Sequence, residues 1–246
     1  MAGRDFQILE YDSLESTNDE AKRLAEEGGR DGLVVRADKQ TAGRGRRGRE
    51  WVSDAGNLFA SIVLRPEVPI AQTATLPFVA AVALGDMLVP KLDPAMGPHY
   101  KWPNDVLVND RKVAGILLES GGSRTGLWVV LGIGVNLASH PDDDTMFPAT
   151  ALKSAGVDWT PNAALDNFLR IFAGLYPVWQ AHGFAPIRRS WLQRARHLGE
   201  MIEVGRNGER LKGVFEDVDE TGALKLRLED GTMETITAGD VFFAHG

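Results

Sequence analysis

The order of apolar and polar positions along the chain predicts a mixture of strands and helices. Short apolar or β-branched runs are typical of strands, and they cover residues 6–12, 33–37, 58–64, 100–108, 113–119 and 127–137. Longer segments with helical character cover residues 75–88, 163–182 and 186–197. Because these elements are mixed without regular βαβ alternation, the predicted fold class is α+β.

A further helix is predicted directly after the first strand. Its start, Ser16-Thr17-Asn18-Asp19-Glu20, is rich in capping residues, and Ser16 has capping-box spacing to Asp19. The glycine pair at 28–29 is predicted to end this helix. A helix start of this kind offers hydroxyl groups and free backbone N–H groups to a ligand.

The character of the sequence changes after Met201. Turn signals at 205–208, 221–222 and 230–231 lie at short spacing between alternating strands. We therefore predict two domains, 1–198 and 199–246, of which the second is a small antiparallel β-barrel. Before this boundary, the Asp- and Pro-rich segment 141–150 is predicted to be a loop.

Composition narrows the classes of protein. The 246 residues include 27 Lys and Arg against 34 Asp and Glu, a net charge of −7, which is a poor basis for binding duplex DNA. The chain has no cysteine, which excludes thiol nucleophiles and thiolate zinc sites and fits a reducing compartment. The longest apolar run, 78–84, is too short to cross a bilayer. We therefore expect a soluble cytoplasmic protein without a membrane partner.

One segment is basic in spite of this acidic composition. Residues 43–49 read Gly-Arg-Gly-Arg-Arg-Gly-Arg, and Trp51 follows as a flat apolar wall. Arginine binds phosphate and carboxylate bidentately, and glycine lets backbone N–H groups approach an anion. We expect a loop that is mobile until an anion binds; the alternative is a solvated basic surface loop. The segment also matches the dinucleotide fingerprint, but a strand follows it instead of the required helix.

Two further clusters carry polar chemistry. Lys101-Trp102-Pro103-Asn104-Asp105 precedes Lys112, whose ammonium enters an apolar strand and needs an anionic partner there. The alternatives are a tight turn at Pro103 and a lysine that extends to solvent from a strand end. In Gly132-Ile133-Gly134-Val135-Asn136, the glycines allow either the close approach of a ligand or a bulge.

These segments, with Ser16-Thr17-Asn18, Gln40 and Lys112-Val113-Ala114-Gly115, stand in the order found in biotin protein ligases, and the sequence resembles that family over roughly 12–152. The resemblance implies a class II aminoacyl-tRNA synthetase/biotin synthetase-like catalytic domain with an SH3-like C-terminal β-barrel. It also implies two steps: biotin is activated by ATP as biotinyl-5′-AMP, and biotin is then transferred to a lysine of a biotin carboxyl carrier protein domain of a carboxylase. Mg²⁺ would enter with ATP, without a fixed protein site.

The resemblance assigns roles by position. Lys112, Arg46 and Asp105 are expected to be catalytic, with Asp105 as a base for the incoming lysine. The expected biotin-binding residues are Ser16, Thr17, Asn18, Gln40, Gly43, Arg44, Gly45, Arg46, Lys112 and Gly115. The expected ATP- and adenylate-binding residues are Arg44, Arg46, Arg47, Arg49, Trp51, Asn104, Lys112 and Asn136.

Other functions remain open at this point. Many bacterial relatives carry an N-terminal DNA-binding domain, and since the helix-start motif lies at Ser16, we expect no repressor function and no DNA partner. A lipoate ligase or octanoyltransferase has a similar fold, although the arginine segment beside Lys-Trp-Pro-Asn-Asp does not suit it. A nucleic-acid binding module that uses the Arg/Gly segment is a second alternative, and a catalytically inactive binding domain is a third. A homodimer through an exposed strand edge is possible.

Overall fold

The computed structural model describes residues 5–123, 126–141, 148–206 and 209–242. The strands are β1 (Gln7–Leu14), β2 (Leu33–Gln40), β3 (Leu58–Leu64), β4 (His99–Lys101), β5 (Asp105–Val108), β6 (Arg111–Ser123), β7 (Gly126–Val135), β8 (Met201–Arg206), β9 (Glu209–Val218), β10 (Leu224–Leu228), β11 (Met233–Ile236) and β12 (Asp240–Phe242). The helices are α1 (Thr17–Glu26), α2 (Ile70–Thr73), α3 (Leu76–Leu88), α4 (Pro161–His182) and α5 (Ala185–Leu192).

A seven-stranded sheet forms the frame of the larger, N-terminal part. Its strand order is β1-β2-β3-β7-β6-β5-β4, with β1 and β2 parallel and the other neighbours antiparallel. Successive residues of a strand face opposite sides of a sheet, so Ile62 packs with α3 and α4 on one face while Val63 packs with α1 on the other. The predicted α+β class is confirmed.

The C-terminal part is a second sheet of five strands in the order β11-β10-β9-β8-β12. Its neighbouring strands are all antiparallel, as the alternating pattern predicted. The boundary near residue 198 stays a prediction. The turn at 205–208 and the loop at 141–150 lie partly outside the described residues, because 207–208 and 142–147 are not described.

Three local predictions are wrong. The helix expected over 186–197 ends at Leu192, five residues early. The strand expected over 100–108 is two short strands, β4 and β5, separated by a turn at Trp102, Pro103 and Asn104. Ser16 is the N-cap of α1, but its side chain makes no capping hydrogen bond. The first free N–H of the helix, that of Thr17, donates instead to Gln40 Oε1 at 2.8 Å. A side chain from the neighbouring strand β2 therefore replaces the expected capping box.

One segment of the described chain, Ile70–Leu88, is apolar enough over its 19 residues to cross a membrane by length and composition. It comprises α2 and α3, and 67% of it is buried inside the protein. Leu76, Val79 and Leu84 are fully buried against the sheet and against α4 and α5. We therefore interpret this segment as a core element, whose apolar character serves packing.

Candidate functional site

A cavity of about 430 Å³ opens where the start of α1, the arginine segment, strands β6 and β7, and the C-terminal sheet meet. Most of the residues singled out in the sequence line it: Ser16, Thr17, Asn18, Gln40, Arg44, Gly45, Arg46, Arg49, Trp51, Asn104, Asp105, Lys112, Gly115 and Asn136. These residues are spread from Ser16 to Asn136, nearly half the chain, so their convergence is a product of the fold. The size suits a small ligand and its nucleotide partner.

Two expected site residues, Gly43 and Arg47, are not among the residues that line the cavity. Gly43 lies beside it: a Cβ at this position would stand 2.6 Å from the Trp51 carbonyl oxygen, and Trp51 N donates to Gly43 O at 2.9 Å. Arg47 has a φ of 57° and its guanidinium lies 3.3 Å from Asp240. Gly43 therefore shapes the segment, and Arg47 joins it to the C-terminal sheet.

Polar side chains at the start of α1 form one connected network. Thr17 Oγ1 lies 3.1 Å from Gln40 Oε1, and Gln40 Nε2 donates to Ser53 Oγ at 3.0 Å. On the other side, Thr17 Oγ1 lies 2.8 Å from the hydroxyl of Ser61. Since Thr17 and Gln40 face the cavity, this network presents hydrogen-bonding groups to a polar ligand.

Asn18 is held from three strands. Its Oδ1 accepts from Ser61 Oγ at 2.5 Å, and its Nδ2 donates to Glu119 Oε2 at 2.8 Å. Lys22 lies 2.8 Å from the same carboxylate. A methyl group on Gly132 would collide with Asn18 Oδ1, so only glycine leaves room for this amide.

Trp51 lies across the paired glycines of β6 and β7. Gly115 and Gly134 are opposite each other in the sheet, and a Cβ on either would stand 2.6–2.7 Å from the indole ring. The ammonium of Lys112 lies 5.2 Å from the ring centroid. Among the described residues, the buried indole Nε1 of Trp51 has no hydrogen-bond partner. Gly115 and Gly134 thus make room for the tryptophan at the wall of the cavity.

Two lysines and a carboxylate lie at one side of the cavity. Lys112 Nζ is 2.6 Å from Asp105 Oδ1, which supplies the anionic partner that the sequence required. Lys101 is buried, and burial lowers the pKa of its ammonium to about 8, although the Asp105 carboxylate acts in the opposite direction. A bound anion would therefore be stabilised here by lysines that are only partly neutralised by protein carboxylates.

The arginine segment contacts the rest of the protein on two sides. Arg44 pairs with Asp19 of α1. Arg46 Nη1 lies 3.3 Å from Asn104 Oδ1 and 3.4 Å from the carbonyl oxygen of Gly239. Burial lowers the pKa of Arg46, which means that its charge is costly there without an accompanying anion.

The C-terminal sheet supplies one carboxylate to two arginines of this segment. Asp240 Oδ1 accepts from Arg49 Nη2 at 2.7 Å, and Asp240 Oδ2 lies 3.3 Å from Arg47 Nη1. Asp240 begins β12 and lines the cavity together with Val241. The site is therefore built by both parts of the chain.

Sequence reasoning missed several residues of the site. Asp240, Ser53 and Glu119 carry no local pattern that separates them from ordinary surface positions. Ser61 does carry one, since it is the polar position in the otherwise apolar strand Leu-Phe-Ala-Ser-Ile-Val-Leu. Within the described ranges, no group of three or more His, Cys, Asp or Glu side chains that could hold a metal ion is found.

Comparison with known proteins gives the family. Residues 11–136 match the Biotin/lipoate A/B protein ligase family, and residues 197–244 match the Biotin protein ligase C terminal domain. The chain is 47% identical to the biotin–[acetyl-CoA-carboxylase] ligase of Paracoccus denitrificans over 93% of this chain and 97% of that protein. It is 34% identical to the bifunctional ligase/repressor of Bacillus subtilis, over 94% of this chain and 72% of that protein.

Solved structures agree with this assignment. The biotin protein ligase of Aquifex aeolicus in complex with biotin and ATP superimposes with a TM-score of 0.79 and 26% identity, covering 96% of this chain and 97% of that one. The ligase of Leishmania major in complex with biotinyl-5-AMP gives a TM-score of 0.63 and 27% identity, covering 95% and 99%. The two family matches, the cavity that gathers all the predicted motifs and these relatives lead to one assignment: the chain belongs to the biotin protein ligase family.

Proposed function

We propose that this protein is an ATP-dependent biotin protein ligase that activates biotin as biotinyl-5′-AMP and transfers it to a lysine of the biotin carboxyl carrier domain of acetyl-CoA carboxylase. The observation that carries the proposal is the single cavity where the start of α1, the arginine segment, Lys112 and Asp240 meet. It combines a polar end for a ligand head group with a cationic side for phosphates. The names of the relatives supply the substrates.

In the first step, a carboxylate oxygen of biotin attacks the α-phosphorus of ATP, and the bond to pyrophosphate breaks. Negative charge develops on the α-phosphate and on the leaving group. Arg46 and Lys112 stabilise that charge in a site that excludes most water, where such contacts are strong. Arg44, Arg49 and Asn104 line the cavity beside these phosphates and Arg47 adds positive charge from outside its lining, while Trp51 and Asn136 border the nucleotide.

The second step needs no protein nucleophile. The ε-amine of the acceptor lysine attacks the carbonyl carbon of the mixed anhydride, AMP leaves, and the amine loses a proton. Asp105 is the carboxylate in the cavity that accepts this proton, after Lys112 has turned to the phosphate. Ser16, Thr17, Asn18 and Gln40 hold the polar end of biotin, Gly45 and Gly115 line the rest of its site, and Gly43 acts by shaping the arginine segment.

We propose that Mg²⁺ enters with the ATP phosphates. Mg²⁺ usually keeps several waters and takes one or two carboxylates besides substrate phosphates. The donor set here fits that mode and not a protein cage, since two of the three carboxylates that line the cavity, Asp105 and Asp240, are already paired with cations, and Glu50 is the third. The ion would add positive charge at the leaving pyrophosphate.

The remaining partners are proposals as well. We propose a cytoplasmic location on the absence of cysteine from the sequence. A homodimer would use β1, because β4 at the other edge of the large sheet already pairs with the backbone of Arg194 and Arg196. Lack of DNA binding stays a prediction, supported by the net charge of −7, and salt-dependent binding of this protein to a specific duplex would contradict it.

The test is pyrophosphate release with ATP, Mg²⁺ and either biotin or lipoate, before any acceptor protein is added. We expect release with biotin alone. Lys112→Ala should abolish most of it, whereas Lys225→Ala, which removes a lysine from the C-terminal sheet away from the cavity, should leave it unchanged. Release with lipoate alone would assign the protein to the lipoate branch of the family, and release with neither substrate would refute the proposal.

A further inference from the structure

Ser61 is a buried polar residue behind the cavity. It lies on β3, is 0% exposed, and is not among the residues that line the cavity. Its hydroxyl oxygen lies 2.5 Å from Asn18 Oδ1 and 2.8 Å from Thr17 Oγ1. A hydroxyl in an apolar strand must be hydrogen-bonded to be tolerated, and here both partners belong to the start of α1.

The direction of these hydrogen bonds follows from Glu119. A carboxylate accepts hydrogen bonds, so the Asn18 group that faces Glu119 at 2.8 Å must be the NH₂ group. The amide oxygen of Asn18 then faces Ser61, whose single hydrogen is donated to it. The Ser61 oxygen is left as an acceptor for the hydroxyl hydrogen of Thr17.

The other end of the network is fixed in the same way. The hydroxyl of Ser53 donates to the carbonyl oxygen of Trp51 at 2.8 Å, so its oxygen accepts from Gln40 Nε2. The amide oxygen of Gln40 therefore faces Thr17, whose N–H donates to it at 2.8 Å. The hydroxyl hydrogen of Thr17 consequently has two acceptors, Ser61 Oγ at 2.8 Å and Gln40 Oε1 at 3.1 Å.

We propose that Ser61 is a positioning residue for the head group of biotin. The cyclic urea of biotin carries two N–H donors and one carbonyl. When the hydroxyl hydrogen of Thr17 turns to Ser61, a ligand N–H takes the acceptor position that it leaves on Gln40 Oε1, and no polar group of the network loses its partner. Ser61 also keeps the Asn18 amide in one orientation. This inference rests on the proposed function, because it requires a ligand that donates hydrogen bonds.

The selectivity for a urea ring follows from the same geometry. The dithiolane ring of lipoate has no N–H group to exchange with the hydrogen of Thr17. Ser61 should therefore contribute to the binding of biotin and of desthiobiotin, which keeps the urea ring, and not to the rate of the chemical step.

The test compares Ser61→Ala with Thr75→Val. Thr75 is 1% exposed and its hydroxyl accepts from Trp179 Nε1 at 2.8 Å, outside the cavity. Both variants remove one buried hydroxyl that has a hydrogen-bond partner. We expect Ser61→Ala to raise the dissociation constant of biotin and of desthiobiotin about tenfold. The kcat and the KM for ATP should stay within about twofold, and Thr75→Val should leave all these constants unchanged.

Glu119 provides a second check on the mechanism. Glu119→Gln keeps an oxygen that accepts from Asn18 Nδ2 and should preserve biotin affinity, whereas Glu119→Ala should weaken it. If Ser61→Ala does not fold, Ser61→Cys keeps a weak donor of similar size and should give a smaller loss. An active wild-type protein with unchanged biotin affinity in the folded Ser61 variant overturns this inference alone. A wild-type protein that releases no pyrophosphate with biotin overturns it together with the proposed function.

Discussion

Gly134→Ala tests whether the position of Trp51 is set by the paired glycines. The new Cβ would stand 2.6 Å from Trp51 Cε2, whereas carbon atoms in contact lie about 3.5–4.0 Å apart. The indole must therefore retreat by about 1 Å, and since Trp51 is half-exposed it can move outward without deforming the sheet. Overpacking lowers the free energy of unfolding by about 1–3 kcal/mol, whereas replacing a strand glycine by alanine raises it by about 0.5–1 kcal/mol.

The binding of ligands should change more than the stability does. We expect the free energy of unfolding, measured in urea, to fall by no more than about 2 kcal/mol, because the indole ring can move away from the new methyl group. The KM values for biotin and ATP in pyrophosphate release should rise about tenfold or more, because a displacement of about 1 Å in a ligand wall is costly. The matched control is Gly122→Ala in β6, where a Cβ meets nothing within 4 Å. Its KM values should be unaffected, and its free energy of unfolding should rise by about 0.5–1 kcal/mol.

The reasoning is refuted if Gly134→Ala has the kinetics and the stability of the wild-type protein. It is also refuted if Gly122→Ala and Gly134→Ala weaken ligand binding equally, since the effect would then come from the added methyl group and not from Trp51. Gly115→Ala gives an independent repeat from the opposite strand, because its Cβ would stand 2.7 Å from Trp51 Cζ3.

Three further outcomes are expected. Burial lowers the pKa of Lys101 from 10.5 to about 8. Between these pH values the unfolded chain binds a proton that the folded protein has released, so the free energy of unfolding should rise with pH by up to about 1.4 kcal/mol per pH unit. Lys101→Met should remove this rise in urea titrations from pH 7 to 10.5. Arg46→Gly should release biotinyl-AMP faster, seen as a higher adenylate dissociation rate and as labelling of unrelated lysines, and an unchanged rate would contradict the role of Arg46. Asp240→Asn should increase tryptic cleavage within residues 43–49 several-fold, since two arginines lose their anchor, whereas Asp217→Asn, which removes an ion pair with Arg188, should not.

Much of the fold could be predicted from local patterns. The apolar strand 58–64, the helix 75–88 and the turns of the C-terminal sheet have a period or a turn residue that identifies them. The break between β4 and β5 lies where the sequence offered a tight turn at Pro103 only as an alternative. One strand was expected because Tyr100 and the run Val106 to Val108, all buried, have strand character on both sides of the turn. The cap of α1 was missed because its acceptor, Gln40, lies 23 residues away and reaches the helix only through the pairing of β1 with β2.

The residues of the candidate site also fall into two groups, those that a local sequence pattern indicates and those that only the fold brings together. Motifs that are contiguous in the sequence, such as the arginine segment and Lys101 to Asp105, indicated a ligand site by composition alone. The residues that hold them do not form motifs. Glu119 reaches Asn18 across 101 positions, and Asp240 reaches Arg49 across 191, so only the folded chain shows that they act together.

The contacts of the arginine segment explain why an acidic protein carries it. In this structure its charges are balanced by protein carboxylates from opposite sides, Asp19 of α1 and Asp240 of the C-terminal sheet. Phosphates that enter the cavity compete with these exposed ion pairs. Each pair contributes only about 0–1 kcal/mol to stability, so breaking it costs little free energy. Arg46 differs, since it is half-buried and faces the neutral acceptors of Asn104 and Gly239. We therefore expect a bound anion to be stabilised most by Arg46, while the outer arginines exchange protein carboxylates for phosphate oxygens.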